Sequence, residues 1–188
     1  MKVLTRITAL LVLAVLVFLV LELPVFWQPF YPVKYEEFIA RQARANNLDP
    51  ALVAAVIKVE SNFRHDAVSR ADARGLMQIR PDTAREVARE LGHVIDEDVF
   101  EELLFDPEYN ITLGTRYLAK MLQEFGGNEA MALAAYNAGP ARLRSWLEKG
   151  IWDGTWKNRT QIPYPETRNY LRKVELARER YARLYNFK

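Results

Sequence analysis

Helix-start signals recur along this chain of 188 residues and constrain its fold more than any other feature. Asp-Pro pairs stand at Asp49-Pro50 and Asp106-Pro107, and a Pro-Asp pair stands at Pro81-Asp82. A capping aspartate and a proline in the first turn both favour a helix start. Period-two alternation is scarce, so the pattern predicts an all-α fold. The predicted helices cover roughly residues 35–46, 51–60, 81–92, 106–125, 128–136, 140–150 and 165–188.

Composition excludes several classes of function. Half of the residues are hydrophobic and 27% are charged, which is typical of a globular chain. The 26 basic and 24 acidic residues nearly balance, whereas a nucleic-acid binder normally has a strong basic excess. The absence of cysteine excludes disulfides, thiolate metal sites and a cysteine nucleophile, and there are only two histidines. We therefore expect a monomer with no metal, no cofactor and no nucleic-acid partner.

The amino terminus has the pattern of a targeting segment. Lys2 and Arg6 precede an apolar run from Ile7 that continues to Trp27, about 21 residues in all. A basic start and a run of this length are typical of an export signal or of a membrane-spanning helix. Bulky residues follow the run where a cleavage site would carry small ones. We predict that residues 1–34 form an uncleaved signal-anchor helix and linker, with an extracytoplasmic domain at 35–188. Cleavage and secretion, or a helix buried in the domain, are the alternatives.

Glu60 lies on the wrong face of its helix for a charged residue. Val53, Val56 and Ile57 form an apolar stripe, and Glu60 follows them at helical spacing on the same stripe. Burial against apolar surface raises the pKa of a carboxyl group, as does the negative end of a helix. A raised pKa suits a general acid near neutral pH. The alternative is a partly exposed glutamate that pairs with Arg64.

Three separated motifs carry a resemblance to a known family. They are VESNFRHDAVSRADARGLMQIRPDTA at 59–84, AAYNAGP at 134–140 and IPYPETRNYL at 162–171. In this order they resemble the soluble-type (SLT) lytic transglycosylases, whose lysozyme-like fold is shared with goose-type lysozymes. The resemblance extends from about Tyr35 to Tyr185 and implies a lysozyme-like helical domain.

The resemblance also implies an activity. Family members cleave the β-1,4 bond between N-acetylmuramic acid and N-acetylglucosamine in peptidoglycan without water, leaving a 1,6-anhydro end. Glu60 would be the single general acid and base, which departs from the usual pair of carboxylates. The alternatives are a lysozyme-type hydrolase, for which the sequence offers no second acidic residue in a comparable motif, and a non-catalytic glycan-binding scaffold.

Further site residues follow from the resemblance. Met77 and Gln78 are expected to give an apolar wall and an amide for the sugar, although Met77 also suits the core. Tyr136 is expected to hold Glu60 in position. Asp72 stands where the family often has glycine, and aspartate tolerates the left-handed backbone better than most residues. The substrate-binding residues implied in this way are Ser69, Met77, Gln78, Tyr136, Asn137, Glu166 and Tyr170.

Overall fold

The computed structural model describes residues 2–187, and for residues 2–5, 9, 21, 22, 24 and 25 it describes the backbone alone. Over this range the chain is helical, with two isolated β-bridges and no strand. Short 3-10 turns stand at Gln28–Phe30 and Arg159–Gln161. The helices are α1 (Lys2–Glu22), α2 (Pro24–Trp27), α3 (Glu36–Ala45), α4 (Pro50–Ser61), α5 (Pro81–Glu90), α6 (Phe100–Leu103), α7 (Pro107–Glu124), α8 (Glu129–Ala138), α9 (Pro140–Glu148) and α10 (Pro165–Leu184).

The capping predictions are confirmed. The Asp49 carboxylate accepts a hydrogen bond from the Ala51 amide at 2.9 Å, and Asp106 accepts one from the Tyr109 amide at 2.7 Å. These bonds satisfy amides that have no partner within the helix. Helix α6 was not predicted, because four residues are too few for a periodic pattern. The buried Phe100 ring attaches this short helix to the core.

Helix α4 lies at the centre of the domain. Its residues 51–57 are all at most 3% exposed, which agrees with a sequence that is apolar on every side. Helices α3 and α10 pack against α4, and α8 packs against α10. Because α4 is enclosed, the polar residues at its end lie where the helix leaves the core and reaches the surface of the domain.

Helix α1 leads into the domain through α2. Its described apolar side chains, from Ile7 to Val20, are mostly about half exposed or more. Within the residues that the structure describes, no helix combines the length and the apolar character that crossing a bilayer requires. The predicted membrane-spanning anchor is therefore not confirmed.

Two glycines with the same backbone conformation offer a test of close packing. Gly75 and Gly92 have φ angles of +75° and +73°. A Cβ at Gly75 would overlap the Leu104 carbonyl and the Asn110 amide, whereas a Cβ at Gly92 would meet open space. We expect Gly75→Ala to lower the free energy of unfolding by about 3 kcal/mol or more, and Gly92→Ala by about 1 kcal/mol. Urea denaturation of both variants measures the difference, and equal losses would contradict the packing described here.

Candidate active site

A cavity of about 650 Å³ opens at the end of α4. The loop between α4 and α5 forms one wall, and the junction of α8 with α9 and the start of α10 form the other. Most of the residues that the sequence predicts for the site border this cavity. They are Glu60, Ser69, Gln78, Tyr136, Asn137 and Glu166.

Glu60 occupies the last turn of α4 and is the centre of the site. Its pKa is raised from 4.5 to about 8, chiefly because burial penalises the charged carboxylate. The nearby Tyr170 hydroxyl opposes this shift, and the negative charge of Glu166 adds to it. The alternative pairing with Arg64 is not observed, since the Arg64 Nε donates to the Ser61 carbonyl at 3.3 Å. Glu60 therefore holds its proton at neutral pH.

Tyr170 lies behind Glu60 rather than on the cavity wall. The Tyr170 ring is 5% exposed, and its hydroxyl interacts with the Glu60 carboxyl. Among the described residues this buried hydroxyl has no hydrogen-bond partner of standard geometry, and it lies close enough to Glu60 to act on its carboxyl. Burial, followed by the charge of Glu60, raises the pKa of Tyr170 well above 10, so the phenol stays protonated and can donate. Tyr170 is thus placed to orient the carboxyl group.

Tyr136 borders the cavity but makes a different bond from the one expected. Its hydroxyl donates to the Met77 carbonyl at 2.8 Å, so the hydroxyl fixes the neighbouring loop rather than Glu60. Burial and the nearby charge of Glu60 raise the pKa of Tyr136, which agrees with a position close to the carboxyl. Its ring also packs against Tyr117, with 5.2 Å between the centroids.

Met77 corrects one expectation from the sequence. Its side chain is fully buried and packs so closely on Gly114 that a Cβ there would overlap it, so it belongs to the core and not to the sugar-binding wall. The backbone of Met77 nevertheless shapes the loop. Its amide donates to Asn110 Oδ1 at 2.7 Å, while Ser61 Oγ donates to the preceding Leu76 carbonyl at 2.8 Å.

Gln78 lines the cavity in a left-handed conformation, with φ at +50°. Its side-chain Nε2 donates to the carbonyls of Ala67 at 3.0 Å and Gly75 at 2.9 Å. The amide nitrogen therefore holds the loop closed. The polar groups of this motif therefore form many of their hydrogen bonds within the loop itself.

The first part of the same loop is closed by short local bonds. The Ser69 hydroxyl accepts the amides of Ala71 at 3.2 Å and Ala73 at 3.1 Å. Asp72 has a left-handed φ of 59°, in agreement with the expectation for the residue that replaces glycine. Its carboxylate also pairs with Arg74 at 3.0 Å. The substitution is accommodated without opening the turn.

Asn137 and Glu166 lie on the opposite wall of the cavity. The Thr167 hydroxyl, at the start of α10, donates to Asn137 Oδ1 at 2.8 Å, which ties the end of α8 to α10. Glu166 is exposed at the cavity edge, where its charge acts on Glu60. The Arg142 guanidinium, at 4.8 Å from the Tyr164 ring centroid, covers the adjacent rim.

Several lining residues were missed from the sequence. Tyr117 lies at helical spacing in a row with Leu113, Met121 and Phe125, which indicates a core position, and only its hydroxyl distinguishes it from the other three. Asp82 and Glu166 both border the cavity, so carboxylates other than Glu60 are present in the site. Within residues 2–187, no group of three or more acidic or histidine side chains has a metal-binding arrangement. The additional lining residues include Arg80, Asp82, Thr83, Tyr117, Arg142 and Tyr164.

Comparison with known proteins agrees with this geometry. The profile of the transglycosylase SLT domain matches residues 37–158. The chain belongs to the transglycosylase SLT domain family. It is 36% identical to the soluble lytic murein transglycosylase of Salmonella typhimurium over 155 residues, which is 81% of this chain and 23% of that protein. It is 30% identical to the membrane-bound lytic murein transglycosylase C of Actinobacillus pleuropneumoniae, over 79% of this chain and 46% of the relative.

A solved structure of a family member has the same arrangement of helices. The lytic transglycosylase Slt of Pseudomonas aeruginosa, as an inactive glutamate-to-glutamine mutant, superposes with a TM-score of 0.74 at 33% identity. The match covers 84% of this chain and 25% of that one. The chain thus spans about a quarter of the length of the soluble relatives that it matches.

The two neighbours of Glu60 should shift its pKa in opposite directions. Tyr170→Phe removes a hydroxyl that favours the charged carboxylate, so the pKa of Glu60 should rise. Glu166→Gln removes a nearby negative charge, so the pKa of Glu60 should fall. A pH titration of the carboxyl carbons by 13C NMR measures both shifts. Glu148→Gln, at an exposed position on α9, is the control. Shifts of the same sign in the two variants would refute these assignments.

Proposed function

We propose that this chain is a peptidoglycan lytic transglycosylase, with residues 35–188 as a catalytic domain of the lysozyme-like type. The observation that carries the proposal is a carboxylic acid with a pKa of about 8 at the edge of a cavity of about 650 Å³. Such an acid is protonated at neutral pH and can donate a proton to a leaving oxygen. The names of the relatives, and the inactive glutamate mutant among them, support the same substrate and the same type of residue.

In the proposed reaction Glu60 acts first as the acid and then as the base. It donates its proton to the glycosidic oxygen as the bond from that oxygen to C1 of the muramic acid breaks. The C6 hydroxyl of the same sugar then attacks C1, and the Glu60 carboxylate removes the hydroxyl proton. The substrate's N-acetyl group stabilises the positive charge at C1. The product is a 1,6-anhydro ring, and Glu60 ends in its starting protonation state without consuming water.

The groups around Glu60 suit this two-way proton transfer. Burial favours the acid form before the bond breaks, and the Tyr170 hydroxyl stabilises the carboxylate afterwards. The hydrogen bonds that close the loop at residues 67–79 keep its wall rigid around the sugar. In this proposal Ser69, Gln78 and Asn137 contact the glycan, while Met77 contributes only through its backbone.

Digestion of purified sacculi tests the proposal. We expect the full chain in detergent to release muropeptides that are one water lighter than reducing-end products. Glu60→Gln should lower the rate by at least about 100-fold, because the variant has no proton to donate. Mass spectrometry identifies the ends, and Glu148→Gln serves as the matched control. Full activity in Glu60→Gln would remove the basis of the proposed mechanism.

A lysozyme-type hydrolase is the second candidate, and one observation favours it. Glu166 borders the same cavity as Glu60, so a second carboxylate is available to activate water. The same digestion separates the two candidates. Reducing-end products that disappear in Glu166→Gln would favour the hydrolase, whereas anhydro products that persist in this variant would exclude a direct role for Glu166.

We further propose that residues 1–34 direct the domain out of the cytoplasm and hold it at a membrane, as a retained single-pass anchor. Large apolar side chains from Ile7 to Val20 on α1 are exposed and would be shielded by lipid. Lys2 and Arg6 precede them, as is typical of a segment inserted with its start inside. The name of one relative, a membrane-bound lytic murein transglycosylase, points the same way. Secretion after cleavage is the alternative.

Fractionation of expressing cells tests this location. The chain should stay in the membrane pellet after an alkaline carbonate wash, and its intact mass should include residues 1–34. Leu13→Lys with Val17→Lys should abolish this retention, because each charge disfavours insertion by about 3 kcal/mol. A shortened chain in the soluble extracytoplasmic fraction would instead establish cleavage.

A further inference from the structure

Residues 27–33, named the strap here, connect α2 with α3 and lie against the domain. On α10, the Arg180 guanidinium lies 3.8 Å from the centroid of the Trp27 ring. The Tyr185 hydroxyl donates to the Tyr31 carbonyl at 2.8 Å, and the Tyr31 and Tyr181 rings meet edge to face at 5.7 Å. A cation over a ring and buried aromatic pairs are each worth about 1 kcal/mol. These contacts make the strap a docked segment rather than a free linker.

The strap also binds the helix that carries Glu60. The Lys58 ammonium, on α4, donates to the Phe30 carbonyl at 2.8 Å and to Asn62 Oδ1 at 2.6 Å. It lies 5.6 Å from the centroid of the Tyr31 ring. One side chain therefore joins the strap to the residue that ends α4. A cation is also favourable at this position, because helix carbonyl ends carry partial negative charge.

Glu60 lies in the last turn of α4, which the Asn62 amide closes by donating to the Lys58 carbonyl at 3.1 Å. The last carbonyls of a helix have no partner within it, so the final turn is its least stable part. Ser61 Oγ ties this turn to the Leu76 carbonyl on the cavity side. Lys58 ties the same turn to the strap, so that Glu60 stands between two tethers. The strap also holds α10, the helix that contributes Tyr170.

We propose that the strap positions Glu60, acting through Lys58 as a positioning residue. This inference rests on the function proposed above. In this proposal Lys58 contacts neither the cavity nor the substrate. It keeps the last turn of α4 closed and dry, so that the carboxyl stays aligned with the Tyr170 hydroxyl.

Kinetics of full-length variants on sacculi test the inference. Lys58→Met removes both hydrogen bonds and should lower kcat about fivefold to tenfold, with KM within about twofold, because alignment rather than binding is lost. A loosened turn admits water to Glu60, so the alkaline loss of activity should move to lower pH. Lys58→Arg keeps a cationic donor and should restore at least about half of kcat. Lys173→Met, at an exposed position on α10, is the matched control.

A distance measurement tests the docking independently of activity. The chain has no cysteine, so Gln28→Cys with Gln123→Cys allows two spin labels at exposed positions without background. We expect a narrow distance distribution by double electron–electron resonance, and a broader one when Lys58→Met is added. A broad distribution in the parent chain, or an unchanged one in Lys58→Met, would overturn the proposal.

The outcomes separate this inference from the proposed function. A parent chain without activity on sacculi would remove the function and leave the docking measurement intact. An active chain in which Lys58→Met keeps the parent kcat and pH profile would refute the positioning role alone. A loss of melting temperature without these kinetic changes would assign Lys58 a purely structural part.

Discussion

The cost of burying a charge at the end of α4 is the constraint on which the site depends. A carboxylate loses hydration when apolar residues enclose it, and the group keeps its proton instead. Burial raises the pKa of Glu60 at the end of a helix whose residues 51–57 are themselves enclosed by the core. The core helix is therefore part of the chemistry as well as of the stability. A more exposed α4 would leave Glu60 ionised at neutral pH.

The loop that faces Glu60 depends on one buried amide. The Asn110 side chain, fully buried on α7, donates to the carbonyls of Arg74 at 2.9 Å and Leu104 at 2.8 Å and accepts the Met77 amide. Unpaired buried backbone groups are costly, so this amide stabilises an irregular segment that could not otherwise enter the core. Gly75 makes the close approach possible, because a Cβ would occupy the space of the amide. The loop that contains Gly75 and Met77 and the helix α7 therefore stabilise each other's position.

Local chemistry made the helices and the buried position of Glu60 predictable, whereas its proposed role followed from the resemblance of the motifs. Caps such as Asp49 and Asp106 act within three residues, and the stripe that contains Glu60 is a property of one helix. The site walls depend instead on contacts between distant segments. The Met77 amide bonds to Asn110, and Tyr136 bonds to the Met77 carbonyl across 59 positions. The motif residues were therefore predictable from the sequence, whereas the contacts of Met77 and Tyr136 were not. No local pattern distinguished Lys58, because its partner at Phe30 lies in another segment.

If residues 1–34 attach the domain to a membrane as proposed, the docked strap has a geometric consequence. A flexible tether lets a domain explore a volume that grows with tether length, and the cut sites are then spread through the depth of the surrounding polymer. A domain held rigidly at its attachment point instead stays at a constant height as it diffuses laterally. Such a domain reaches only the strands at that height. In this arrangement, the few aromatic and cationic contacts of the strap determine the depth at which the enzyme cuts the polymer.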